Sequence, residues 1–152
     1  MIRRAGVDDA AGVAEVYLRS RAASVPAIPA PVHTDDDVRG WFASIVLVER
    51  EVWVATLPAG EIVALLVVDG DWVDQLYVDP DHVGGGIGTQ LLGHAKAERP
   101  GGLQLWAFEA NTGARRFYER HGFVAVERTD GDNEEGAPDV RYTWSGTVDP
   151  QA

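Results

Sequence analysis

Apolar and polar positions recur along this chain with two different periods, and the switches between them mark its elements. Ile2 to Arg4 is predicted as a short first strand. Ala10 to Ser20 is predicted as a helix with Val13, Val16, Tyr17 and Ser20 on one face. Asp8 and Asp9 precede it, where carboxylates suit an N-cap and the positive end of the helix dipole. Three prolines between Pro26 and Pro31 exclude regular helix and central strand, so this stretch reads as a surface loop. Thr34 followed by Asp37 resembles a capping box, and Val38, Trp41 and Phe42 at i, i+3 and i+4 predict a second, short helix.

From residue 51 the period becomes two. EVWVATL, EIVALLVVD and WVDQLYVD, joined by the turns PAG and DGD, read as an antiparallel meander whose third strand is central. Thr89 to Glu98 carries Leu91, Leu92 and Ala95 at helical spacing and ends at Pro100-Gly101-Gly102. Residues 103–108 read as a buried strand and Asn111 to His121 as a helix closed by Gly122. Phe123 to Glu127 and Val140 to Trp144 are two last strands around the loop 129–139. The order βααβββαβαββ predicts a single α+β domain over residues 1–145, with no internal repeat and a frayed tail at 146–152.

Composition then narrows the partners. The 152 residues, 45% apolar and 24% charged, are enough for one domain with its own core and are unlike a disordered chain. Against 24 acidic residues stand 13 basic ones, a net charge of −11. Nucleic acid is excluded as a partner on that ground, since neutralising a phosphate lattice needs clustered Lys and Arg. Cationic small molecules or basic peptides are the natural visitors. The absence of cysteine removes disulfides, thiolate metal sites and a cysteine nucleophile, and the His residues at 33, 82, 94 and 121 have no metal-ligand spacing. No metal is predicted. The longest apolar run, Ile62 to Val68, is too short to span a bilayer, and MIRRAGVDDA has no apolar stretch after its arginines. These features point to a cytoplasmic protein with no membrane contact.

The chemistry is concentrated after the meander. In DPDHVGGGIGTQLL, Gly84, Gly85, Gly86 and Gly88 leave four positions without a Cβ between a strand and a helix, so several backbone N–H groups can converge on an anion at the helix N-terminus. A Walker loop is ruled out because Thr89-Gln90, not Lys-Ser/Thr, follows Gly88. A Rossmann fingerprint is ruled out because antiparallel strands precede the glycines. LYVDPDHVGGGIGTQLL followed by LWAFEANTGARRFYERHGF resembles the GNAT superfamily of N-acetyltransferases. The first stretch is similar to that family's R/Q-x-x-G-x-G/A acetyl-CoA motif. The second is similar to its N-x-x-A-x-x-F-Y-x-x-x-G-F signature at Asn111, Ala114, Phe117, Tyr118, Gly122 and Phe123. One departure is Val83, which stands where the family has Arg or Gln.

The resemblance implies a mixed, mostly antiparallel sheet of six to seven strands flanked by about four helices and splayed between strands 4 and 5. It also implies acetyl-CoA as acyl donor and an amine as acceptor. By the same carry-over, Leu76, Tyr77 and Val78 border the pantetheine arm, with the Val78 N–H near the thioester carbonyl. Val83, Gly84, Gly85, Gly86, Ile87, Gly88 and Thr89 cradle the pyrophosphate through backbone amides. Asn111, Ala114, Phe117 and Tyr118 complete the cofactor site, with Tyr118 as general acid toward the departing thiolate. For a base the candidates are Asp74, whose strand parity matches Leu76 and Val78, and Glu109; a dedicated base is not required. The acceptor is expected against residues 25–42 and the loop 130–139. The candidate residues there are His33, Asp37, Trp41, Phe42 and Asp74, beside a run of five acids without a base in the second loop. Direct transfer to a primary amine in a ternary complex is the leading reading. A catalytically silent acyl-CoA sensor is the alternative, and a homodimer is compatible with either.

Overall fold

The strands β1 (Ile2–Arg4), β2 (Glu51–Thr56), β3 (Ile62–Asp69), β4 (Trp72–Val78), β5 (Leu103–Phe108), β6 (Val124–Thr129) and β7 (Asp139–Trp144) form one sheet in the order β1-β2-β3-β4-β5-β7-β6. The structure, a computed structural model, describes residues 1–24 and 32–146. The proline-rich loop and most of the predicted tail lie outside the described residues. Every neighbouring pair is antiparallel except β4 and β5, which run parallel. The third meander strand is central, as its pattern predicts.

Four helical segments cover the sheet: α1 (Ala10–Ser24), a broken rod of α2 (Asp35–Trp41) and α3 (Leu47–Glu49), then α4 (Ile87–Glu98) and α5 (Thr112–Arg120). Two apolar layers result. Leu65 and Val67 of β3 pack beneath α1 and α2 with Val13, Val16 and Phe42, while Ala64, Leu66 and Val68 pack beneath α4 and α5 with Leu91, Leu92 and Tyr142. This explains the unbroken apolar run at 62–68, because a strand covered on both faces has no polar side to alternate with. Leu65 is fully buried, so Leu65→Ala removes about 2–5 kcal/mol of stability.

Several boundaries differ from the pattern. α1 runs on to Ser24 with no breaker before the prolines. Asp9 does not cap α1; it closes a 3₁₀ turn at Val7–Asp9 by accepting from the Gly6 N–H at 2.9 Å and from Arg3. The helix opened by Thr34, whose hydroxyl accepts from the Asp37 N–H at 3.1 Å, passes through a π turn at Phe42–Val46 before continuing as α3. Such a turn inserts a residue and breaks the 3.6 period, which is why periodicity reads only its first two turns. α4 begins at Ile87, two residues early. Gly146 is buried, with φ +90 and its backbone against Pro100 and Gly101, so the predicted tail starts with an anchored residue.

Candidate functional site

The parallel strands β4 and β5 pair only at Trp72 and Gln104, with the Gln104 N–H on Asp71 O at 2.8 Å, and then diverge. The ladder to β3 fixes what β4 presents to the opening. Asp79 N–H donates to Val63 O at 2.8 Å, with Val78 opposite Ala64 and Leu76 opposite Leu66. Antiparallel pairing alternates, so the backbone groups of Leu76 and Val78 point away from β3 into the gap. Ser20 Oγ takes the Val78 carbonyl at 2.9 Å, and the two N–H groups face the opening.

A cavity of about 650 Å³ fills the gap and extends past the glycine turn. Gly84 and Gly86 adopt φ +84 and +83, a region closed to most side chains, and Gly86 is the N-cap of α4 without a side-chain cap. The first amides of α4 therefore face the cavity with no side chain competing for them. A Cβ on Gly88 would lie 3.5 Å from Phe117, an ordinary contact distance, so α4 and α5 meet at this position of the cavity wall. Among the described residues no Asp or Glu lines this cavity, and Arg120 and His82 are its basic members.

At the other end of the gap sits Tyr118, 8% exposed, edge-on to Phe117 and Phe123. It lines both the large cavity and a smaller one of about 130 Å³ between β4 and β5. Burial, with Tyr77 nearby, pushes its phenol well above the ordinary range. Asn111 caps α5 by accepting from the Ala114 N–H at 3.2 Å, which leaves its amide nitrogen as the group offered to the cavity. Tyr77 points to the opposite face, edge-on to Tyr17 with ring centroids 5.1 Å apart. Burial pushes its phenol up to about 12 against the opposing pull of Arg21.

Beyond Tyr17 lies a second pocket of about 380 Å³, bounded by His33, Asp37, Trp41, Glu134 and Glu135. The loop supplying the glutamates is a folded unit. Asn133 donates to Ala137 O at 2.6 Å and Asp139 at 3.1 Å, and Thr129 also binds Asp139. Glu134 meets His33 across the mouth. Arg21, 5% exposed, donates to the Tyr17 hydroxyl at 3.1 Å and pairs with Glu135 at 3.7 Å. Burial works against its charge, but the phenols of Tyr77 and Tyr17 and the Glu135 carboxylate outweigh that and raise its pKa.

Three candidates sit differently from their sequence reading. A β-bulge pairs Val67 with Gln75 and Val68 with Val73, leaving Asp74 as the extra residue. The bulge reverses parity, so Val73, Leu76 and Val78 share one core layer. Asp74 instead meets Arg50, whose guanidinium lies over Trp41. Asp74 still lines the smaller cavity with Tyr118. Glu109 lies outside the cavities in a bidentate pair with Arg128 at 2.9 and 3.0 Å, which holds its carboxyl below the usual range. Phe42 has no exposed surface, because it packs edge-on to Tyr17 and Trp41 in the core. Sequence reading missed Arg21 and Arg120. The i, i+4 spacing of Arg21 from Tyr17 was a usable signal, given a longer α1. Among the described residues, no group of three His, Asp or Glu is placed to hold a metal ion, and no helix is long and apolar enough to cross a membrane.

Residues 48–125 match the family model described as "Acetyltransferase (GNAT) domain". Over 134 residues, 87% of each chain, the sequence is 30% identical to the peptidyl-lysine N-acetyltransferase YjaB of Escherichia coli. The chain belongs to the GNAT acetyltransferase family. The Salmonella typhimurium YjaB is 38% identical over 87 residues, which cover 57% of this acetyltransferase and 59% of that protein. The solution structure of apo YjaB from Escherichia coli superposes with a TM-score of 0.78 at 26% identity, covering 97% of this chain and 98% of that one. At 20% identity, yncA of Salmonella typhimurium shares the fold, with a TM-score of 0.70 over 100% of this chain and 98% of that one; it was solved with its cofactor acetyl-CoA. GNAT acetyltransferases use acetyl-CoA. The amide cradle of this one, with two glycines at positive φ and no carboxylate in the lining, fits a polyanionic donor.

Proposed function

We propose that this acetyltransferase transfers an acetyl group to a primary amine of lysine type, on a peptide or a cationic small molecule, by direct attack in a ternary complex. The observation that carries the reading is the charge difference across the gap. The donor cavity has no carboxylate among its described lining residues, whereas Asp37, Glu134 and Glu135 outnumber Arg21 and His33 around the pocket on the opposite side of Tyr77 and Tyr17. Carboxylates beside Trp41 attract an ammonium group and hold its methylene stem against an aromatic wall. The naming of the YjaB relatives as peptidyl-lysine N-acetyltransferases supports the same acceptor class.

Acetyl-CoA, when bound, supplies a thioester carbonyl open to an amine and a sulfur that leaves as thiolate. The chain contributes four things. The Val78 N–H donates to the carbonyl oxygen as charge builds there. The amides of residues 84–89 hold the pyrophosphate at the start of α4. Asn111 holds the pantetheine arm through its amide nitrogen. Tyr118, kept neutral by burial, holds the proton that the sulfur takes as the carbon–sulfur bond breaks. Asp74 and Glu109 are both engaged by arginines, so water carries away the proton that the acceptor ammonium loses before attack. The chain has no cysteine to hold the acetyl group between two half-reactions.

Two-substrate kinetics with acetyl-CoA and a lysine peptide, read as thiol release, test this. Intersecting double-reciprocal lines are the expected result. Parallel lines indicate an acyl-enzyme and overturn direct transfer, and no thiol release with any amine overturns the acetylation of an amine.

A further inference from the structure

The acidic chain has 24 carboxylates for 13 basic side chains, so nearly every base finds a partner. Arg3, Arg4, Arg19, Arg21, Arg39, Arg50, Arg99, Arg128 and Arg141 pair with carboxylates. Lys96 donates to His121 O and Arg115 to the Tyr142 hydroxyl. Among the described residues the two left over are Arg116 and Arg120. Both are exposed on α5, one turn apart. Like charges at i, i+4 disfavour each other. The α5 dipole accounts for Arg120 in the last turn and not for Arg116. Arg120 also lines the donor cavity, as the glycine turn does. Val83, at the start of that turn, is 65% exposed and apolar, and gives an anion only its N–H.

We propose that Arg120, assisted by Arg116, is the side-chain anchor for a phosphate of the donor's nucleotide half. This rests on the acetyl-CoA reading above and adds a subsite to it. The division of labour is physical. The amides of the glycine turn are fixed dipoles that recognise the diphosphate at short range. The guanidinium supplies the full positive charge that a chain of net charge −11 otherwise keeps neutralised. Two adjacent unpaired arginines also give the cavity mouth a local positive potential inside an acidic protein, which steers a polyanion to it.

Calorimetric binding of CoA, dephospho-CoA and pantetheine to wild type, Arg120→Ala, Arg120→Lys and Arg116→Ala is the test. Removing Arg120 weakens CoA by about tenfold or more, with Arg120→Lys recovering part of the loss and Arg116→Ala costing about threefold or less. The salt dependence of CoA binding flattens in Arg120→Ala, and pantetheine binding does not change. If Arg120→Ala weakens CoA but not dephospho-CoA, the anchored group is the 3′-phosphate; if it weakens both, the diphosphate is held. CoA binding unchanged in Arg120→Ala, or pantetheine weakened as much as CoA, overturns the assignment while the acetyl-CoA reading stands. Failure of wild type to bind CoA overturns both. Arg120 is exposed, so the variants keep the wild-type melting temperature, which serves as the folding control.

Discussion

The proposed donor and acceptor sides of the gap are built from different materials. The donor cavity is made of backbone: strand amides of Leu76 and Val78, two glycines at positive φ, and the first amides of α4. The proposed acceptor pocket is made of side chains from distant segments, with Tyr17 and Trp41 lining it beside Glu134 and the Arg21–Glu135 pair. A backbone site recognises what every acetyl-CoA has in common, while a side-chain site can be re-specified by substitution. The comparison therefore predicts that donor-side changes remove function outright and that acceptor-side changes alter preference.

Gly86→Glu has the largest expected effect. It places a carboxylate in the amide cradle and a side chain at φ +83, so CoA binding falls more than about 100-fold by calorimetry. Retained binding would mean that the glycine turn does not hold the phosphates. Tyr118→Phe comes next. Turnover drops on the order of 10²-fold while the Kd for acetyl-CoA stays within about twofold, and unchanged turnover removes the acid from Tyr118. On the acceptor side, Asp37→Asn with Glu134→Gln raises the KM for a lysine peptide about tenfold and leaves the KM for acetyl-CoA alone. An equal rise in both would erase the distinction between the two sides. Asp74→Asn and Glu109→Gln lower turnover by no more than about threefold, because both carboxylates are already held by arginines. A loss as large as that of Tyr118→Phe in either variant would identify it as the base.

Smallest for activity is Asp9→Asn, far from the gap. Arg3 and the Gly6 N–H lower the Asp9 pKa to about 2. A carboxyl whose folded pKa is depressed stabilises the fold above its unfolded pKa of about 4 and loses that contribution as pH falls toward 2. Chemical denaturation at neutral pH therefore shows Asp9→Asn less stable by about 1–2 kcal/mol, a gap that narrows below about pH 4 and closes as pH falls through about 2, with kcat unchanged.

The same contrast explains what could be read in the sequence. The donor side is contiguous: glycines, the strand before them and the α5 signature lie within residues 76–123, so one stretch of sequence carries the family resemblance that assigns them to one site. The succession of elements along the chain and the central position of β4 followed from turn chemistry and a change of period, while the splay between β4 and β5 was implied only by the family resemblance. Asp74 was misassigned to a face because a bulge reverses parity without any local sequence mark. The π turn at Phe42–Val46 hid the second half of its helix in the same way. Glu109 and Arg21 depended on partners in other segments, Arg128 and Glu135, and the pairing of distant side chains is not encoded in periodicity. The acid run at 130–139 did carry a signal, since Glu134 and Glu135 reach the pocket. Its internal fold around Asn133 did not.

The most direct test of the account compares kcat/KM, at low salt, for three lysine peptides of one length whose flanking residues are basic, neutral or acidic. An acidic acceptor pocket opposite a carboxylate-free donor cavity predicts that the basic-flanked peptide is preferred over the acidic-flanked one by about tenfold or more. It also predicts that the preference shrinks as salt is added while the KM for acetyl-CoA is the same with all three peptides. Equal kcat/KM values, or a preference for the acidic-flanked peptide, would contradict it.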